Sequence, residues 1–165
     1  MTKQTDQLLV QMLQSEWQLL QASLQTLIQS VVKCKAIGIK PEYSFEEQES
    51  FDSLTSKFNR TSDLFTQKII RTTWMLLHEA FVPFIDMMNI GEKINILSSS
   101  DQMIGIRDMR NQIAHEYIPE VIRDLVPEVI ELTQQLSENI TCCNDFLVER
   151  KWINHLTGRN QNWLS

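Results

Sequence analysis

The chain has 165 residues, 42% of them hydrophobic, and a formal net charge of -6 from 15 basic and 21 acidic side chains. That is enough apolar material for one domain with a real core, and too acidic a balance for nucleic acid to be held by long-range attraction alone, so an RNA substrate would need local contacts. Three cysteines, with Cys142 and Cys143 adjacent, supply neither a disulfide framework nor a CxxC metal or redox motif.

Only four Gly and four Pro occur, and the apolar residues fall at helical rather than alternating spacing, so the chain reads as all-α. Its start, MTKQTDQLLVQ, lacks a basic segment followed by an apolar core. The greasiest stretch, WMLLHEAFVPFIDMM, is broken by His78, Glu79 and Asp86. The expectation is a cytoplasmic protein without a membrane span, in keeping with its unpaired cysteines.

Residues 3 to 37 read as one long helix. Val10, Leu13, Trp17, Leu20, Leu24, Leu27 and Val31 recur at steps of three and four. Leu8, Met12, Leu19 and Ile28 widen the apolar face and favour a bundle over a free coiled coil. Cys34 sits on the seam as a small hydrophobe. Gly38 supplies a left-handed stop, and Pro41 prevents a restart. SFEE at 44 to 47 has the form of a capping box, opening a second long helix. Phe51, Leu54, Phe58, Phe65, Ile69 and Leu76 lie within about 60° of one another on it and define its buried face. Lys57, Arg60, Lys68 and Arg71 gather elsewhere on that helix. They could hold a phosphate backbone, or pair with the acidic residues described below.

Pro83 opens a short helix in which Met87, Met88 and Phe84 read as core fillers, and a break follows around 95 to 100. SSSD then caps the next helix, with Ser100 or Asp101 as the expected N-cap and a span of about 101 to 116. Ile118 and Pro119 close it, because a residue before proline is pushed out of helical conformation. Glu116, Glu120, Asp124, Glu128 and Glu131 follow at nearly four-residue steps, as a solvated acidic stripe or a docking surface for a basic partner. Pro127 implies a kink or a fresh start. Val129, Ile130, Leu132, Leu136, Ile140 and Phe146 carry the last long helix onward. No internal repeat or linker divides the chain, so residues 1 to 155 form one domain of about five helices and 156 to 165 a frayed tail. His78 and His155 stand alone and are not expected to bind metal, and no Gly-rich phosphate loop is present.

The segment RDMRNQIAHEY, residues 107 to 117, concentrates the chemistry. Arg107, Asn111 and His115 share one helix face, and Ile106, Met109 and Ile113 form the apolar side. Arg110 borders that apolar side, roughly 140° around the helix from His115. A second copy packed by a two-fold axis could bring the Arg of one chain to the His of the other. An imidazole that exchanges a proton near neutral pH and a guanidinium that grips phosphate with two bonds suffice to cleave RNA without metal, leaving a 2′,3′-cyclic phosphate. The competing reading is structural: a His at a helix C-terminus complements the helix dipole, and an Arg or Asn there ties the end to a loop.

MRNQIAHEY resembles the R-x4-H-x-Y signature of the HEPN superfamily, in particular the HepT-like toxins of prokaryotic toxin-antitoxin pairs. The likeness extends over SFEEQESFDSLTSKFNRTSDLFTQKIIR and FIDMMNIGEKINILSSSDQMIGIRDMRNQIAHEY, roughly residues 44 to 120. It implies an antiparallel HEPN-type helical bundle, a homodimer, and a metal-independent endoribonuclease acting on RNA rather than DNA. In it Arg110 and His115 would carry cleavage at the subunit junction, with Asn111 shaping the site and Arg107 beside it. It also implies a cognate partner, a minimal nucleotidyltransferase antitoxin of the MntA type. That partner would use ATP and Mg to attach AMP to Tyr117, while this chain would need no cofactor of its own. A bulky anion on that phenol would fill the cleft and repel RNA phosphates. A non-catalytic helical subunit that presents a substrate or nucleotide to such a transferase, or a plain scaffold, fits the same signature. WMLLHEAFVPF departs from the Gly-containing junction usual between the second and third helices, and the chain runs longer past residue 150. Both bear on partner fit and substrate choice rather than on the signature.

Overall fold

The structure, a computed structural model, describes residues 3 to 154 and is all-helical within them. Helix α1 (Lys3–Ile37) ends at Gly38, whose φ of 71° lets its N–H turn back to the Cys34 carbonyl. Helix α2 (Phe45–Asp63) starts at the expected capping box, in which Ser44 Oγ accepts from Glu47 N and Glu47 Oε1 accepts from Ser44 N.

Helix α2 does not stop at Asp63. Its backbone stays helical through a π segment (Leu64–Ile70) into α3 (Arg71–Leu76), so the three make one rod. A π turn takes up an extra residue and rotates the buried face, which is why Ile70 and Trp74 join Phe65 and Ile69 in the core. Rod and α1 are antiparallel, as a ladder of polar contacts shows. Cys34 faces Ser50, Ser30 faces Lys57, Ser23 faces Thr61, Glu16 faces Thr72 and Asp6 faces His78, so α1 descends as the rod climbs.

Helix α4 (Phe84–Lys93) follows Pro83, and the backbone turns through Asn95 at φ 67°. Helix α5 (Ser100–His115) packs against α2, α4 and the final helix α6 (Pro119–Glu149). Among the described residues there are therefore five helical rods, none long and apolar enough to cross a membrane. The core is continuous from Leu13, Trp17 and Leu27 through Phe58 and Phe65 to Met103, Ile106, Val129 and Leu136. Met88 is sealed in it, and Met87 and Phe84 pack against it.

Four expectations need correction. Leu8, Met12 and Leu19 are exposed, so the buried face of α1 is the narrow seam and Ile28, without the wider flank. The N-cap of α5 is Ser99, whose Oγ accepts from Gln102 N; a run of three serines offers consecutive caps, and the register is decided by packing. The fresh start offered at Pro127 is not taken: α6 begins at Pro119, at its first position, and runs on through the exposed Pro127. His78 is not alone, since its Nε2 lies 3.1 Å from Asp6 Oδ2 at the left-handed end of α3. The readings of His155 and of the tail from 156 onward lie outside the described residues.

Candidate functional site

Helix α5 is placed from its start. Buried Asn139 of α6 accepts the N–H groups of Ser98 and Ser99 on Oδ1 and donates from Nδ2 to Gln102 Oε1 and the Gln135 carbonyl. Glu92 Oε2 accepts from both N and Oγ of Ser100. The N–H groups of Ser98, Ser99, Ser100 and Gln102 are all held by side chains at this helix start, which fixes the rotation and height of α5.

Fixed this way, α5 turns Met103, Ile106, Met109 and Ile113 inward. Arg110 comes to the edge of α2. Its Nε and Nη2 donate to Asp63 Oδ1 and Oδ2, each at 2.9 Å, in a fork-to-fork pair with both side chains about one-third exposed. One turn earlier on α2, Asn59 Nδ2 donates to the Arg110 carbonyl. The hydrogen bonds to Asp63 raise the guanidinium pKa further above its already high value, so Arg110 is a permanent cation with Nη1 left over.

Beside this pair lies an open cleft of about 260 Å³ between the π segment and α5, lined by Asp63, Thr66, Gln67, Phe84, Arg107, Arg110 and Asn111, with Ser62 at its back. The Arg107 guanidinium stacks over the Phe84 ring at 4.2 Å. Three residues singled out in the sequence thus share one wall. The opposite wall, with Asp63, Thr66 and Gln67, was not expected. Its trace in sequence is slight: Asp63, Thr66 and Gln67 are three polar residues among many on this rod. π turns occur often at functional sites, and this one gives Thr66 and Gln67 to the cleft.

His115 is the last residue of α5, exposed, with no side-chain hydrogen bond among the described residues. It does not line the cleft. The chain then extends: Glu116 Oε1 accepts from the backbone N–H of Tyr117 and Ile118, which removes Glu116 from the acidic stripe and makes it the clasp of the turn. Tyr117 projects from that turn at 88% exposure. Glu120, Asp124, Glu128 and Glu131 stay exposed on α6.

The basic residues of the second rod are not a uniform stripe. Lys57 is half-buried and donates to Ser30 of α1, and Arg71 lies over the Phe81 ring at 5.3 Å. Arg60 and Lys68 are exposed. Among the described residues none of the four pairs with the acidic stripe on α6. Burial raises the pKa of all three thiols, Cys34, Cys142 and Cys143, so none is a ready nucleophile. The described residues hold no cluster of three or more potential metal ligands.

Comparison with protein-family models, with curated proteins and with solved structures gives no match for this chain.

Proposed function

We propose that this chain is an endoribonuclease toxin of the HEPN type, held in check by AMP transfer to Tyr117 from a nucleotidyltransferase partner that uses ATP and Mg. The observation that carries this reading is the division of labour on α5: Arg107, Arg110 and Asn111 line one cleft, while His115, a turn further on, is bare and exposed. A phosphate-binding cation and an unengaged imidazole are the two groups that metal-free RNA cleavage requires.

Arg110 and His115 point to different sides of one helix, so the active unit is a symmetric pair of chains. His115 of one chain takes the proton from a ribose 2′-OH. The 2′-oxygen bonds to phosphorus, the bond from phosphorus to the 5′-oxygen breaks, and the partner's His115 returns a proton to that oxygen. Arg110 stabilises the charge that builds on the phosphoryl oxygens, and Asn111 and Arg107 orient the strand. The products are a 2′,3′-cyclic phosphate and a free 5′-hydroxyl. Exposed Arg60 and Lys68 are candidates to steer the RNA, more so than Lys57 and Arg71, which are already engaged.

Expression of the chain alone should halt growth, and Arg110→Ala or His115→Ala should each restore it while the dimer persists. Co-expression with the transferase should add mass in AMP units at Tyr117, lost in Tyr117→Phe. The bidentate contact of Arg110 with Asp63 favours one second reading, in which Arg110 is an interhelix tie in a non-catalytic subunit that presents a substrate to the transferase. In that case His115→Ala leaves growth and RNA untouched.

A further inference from the structure

From the cleft between the π segment and α5 we infer a nucleobase pocket, which seats one unpaired base next to the phosphate that is cut. This rests on the ribonuclease reading and deepens it. The composition of the walls favours a base over a second phosphate. Asp63 is part of the lining and already takes Nε and Nη2 of Arg110, which leaves Nη1 for the phosphate that is cut; with one carboxylate set against Arg107 and Arg110, the wall disfavours a second phosphate. A neutral planar ring with a hydrogen-bonding edge meets no such penalty.

The platform is already built. The guanidinium carbon of exposed Arg107 lies 4.2 Å from the centre of the Phe84 ring, an arginine-aromatic pair at the mouth of the cleft. Unpaired RNA bases are commonly held on Arg planes and aromatic rings. Around that pair stand Gln67 from the π segment and Asn111 from α5, both exposed amides. Each offers a donor and an acceptor, the pair of functions that reads a base edge. The Asn111 amide has no partner among the described residues, and Gln67 reaches only the far limit of a bond, 3.5 Å to Asp63 Oδ1. At about 260 Å³ the cleft is smaller than the usual range for drug-sized ligands and suits one ring system rather than a whole nucleotide. The π turn is what makes room, since it carries Thr66 and Gln67 past the position a regular helix would give them.

The test maps cleavage sites of the full-length chain on single-stranded RNA of random sequence, for wild type, Gln67→Ala and Arg107→Ala. In parallel, the His115→Ala chain is titrated with fluorescein-labelled eight-nucleotide RNAs, intact or abasic at one position. A base preference at one fixed position relative to the cut, flattened about fivefold or more by Gln67→Ala, supports the pocket; fivefold is the low end of what one stacked base contributes. Arg107→Ala should weaken cutting at all sequences as well, because it removes the platform. Cleavage with an unchanged base preference in both variants overturns the pocket and leaves the ribonuclease reading intact. If wild type cuts no RNA, that reading fails, and the binding arm decides the pocket: a fivefold weaker grip on one abasic RNA upholds it, equal binding of all RNAs overturns it.

Discussion

The two ends of helix α5 treat their polar groups in opposite ways. At the start, Ser99, Ser100, Gln102, Glu92 and Asn139 are bonded to one another with little left over. At the finish, His115 and Tyr117 stand in solvent while the Glu116 carboxylate clasps the backbone of the turn. The first arrangement holds a helix at a set rotation. The second leaves an imidazole and a phenol exposed at a helix end, which stability alone does not call for. On the proposed function, structure-building and chemistry are separated along this sixteen-residue helix and the turn that follows it.

The sharpest way to break this separation is to delete one group at each end and measure both properties. His115→Ala should lower RNA cleavage by roughly a thousandfold, the scale of a lost general acid-base group, while global stability stays within about 0.5 kcal/mol. Urea unfolding and single-turnover cleavage report the two halves. A stability loss of several kcal/mol would show that the imidazole is structural after all and would remove the basis of the contrast.

Asn139→Ala should do the reverse. It strips the partners from Ser98 N and Ser99 N inside the protein, and the expected cost is about 3 kcal/mol of stability. Residual folded protein should still cut RNA, at a rate lowered only as far as α5 shifts. Ser99→Ala, which removes one cap and leaves Asn139 in place, should cost about 1 kcal/mol.

How much of this was visible beforehand depended on range. Stops and starts written by neighbouring residues were legible: Gly38, the Ser44 and Glu47 box, and Pro119 each act within four positions. The grouping of Arg107, Arg110 and Asn111 on one side of α5 is legible too, because the three are local; the same local pattern does not show that His115 lies outside their cleft. The Asp63 contact was not legible, since 47 residues separate it from Arg110 and nothing near either residue announces the other. Nor was the exposure of Leu8, Met12 and Leu19: an apolar face shows how a helix could pack, not that a neighbour exists on that side. The π segment escaped because the apolar period of Phe58, Phe65 and Ile69 reads equally well through a regular helix. It contributes Thr66 and Gln67 to the second wall of the cleft, which is set by packing between distant segments and not by a local signal.

The smallest expected effect concerns a polar group engaged far from α5, on the ladder between α1 and the rod. Glu16 is half-buried with both carboxylate oxygens on the Thr72 hydroxyl, and burial, the dominant influence, raises its pKa above the usual 4.5 in spite of Thr72 and Lys68. The folded chain therefore binds this proton more tightly than the unfolded chain does. Its contribution to stability is fully present below the unfolded pKa and is lost as pH rises through the folded value. Glu16→Gln, which stays neutral and can still accept from Thr72, should be nearly silent below pH 4 and stabilising by no more than about 0.5 kcal/mol at pH 7. Urea midpoints at the two pH values check the sign. If Glu16→Gln instead destabilises at pH 7, the charge on Glu16 is favourable where it sits, and the engaged groups of the ladder serve as electrostatic anchors to Lys68 rather than as desolvated packing.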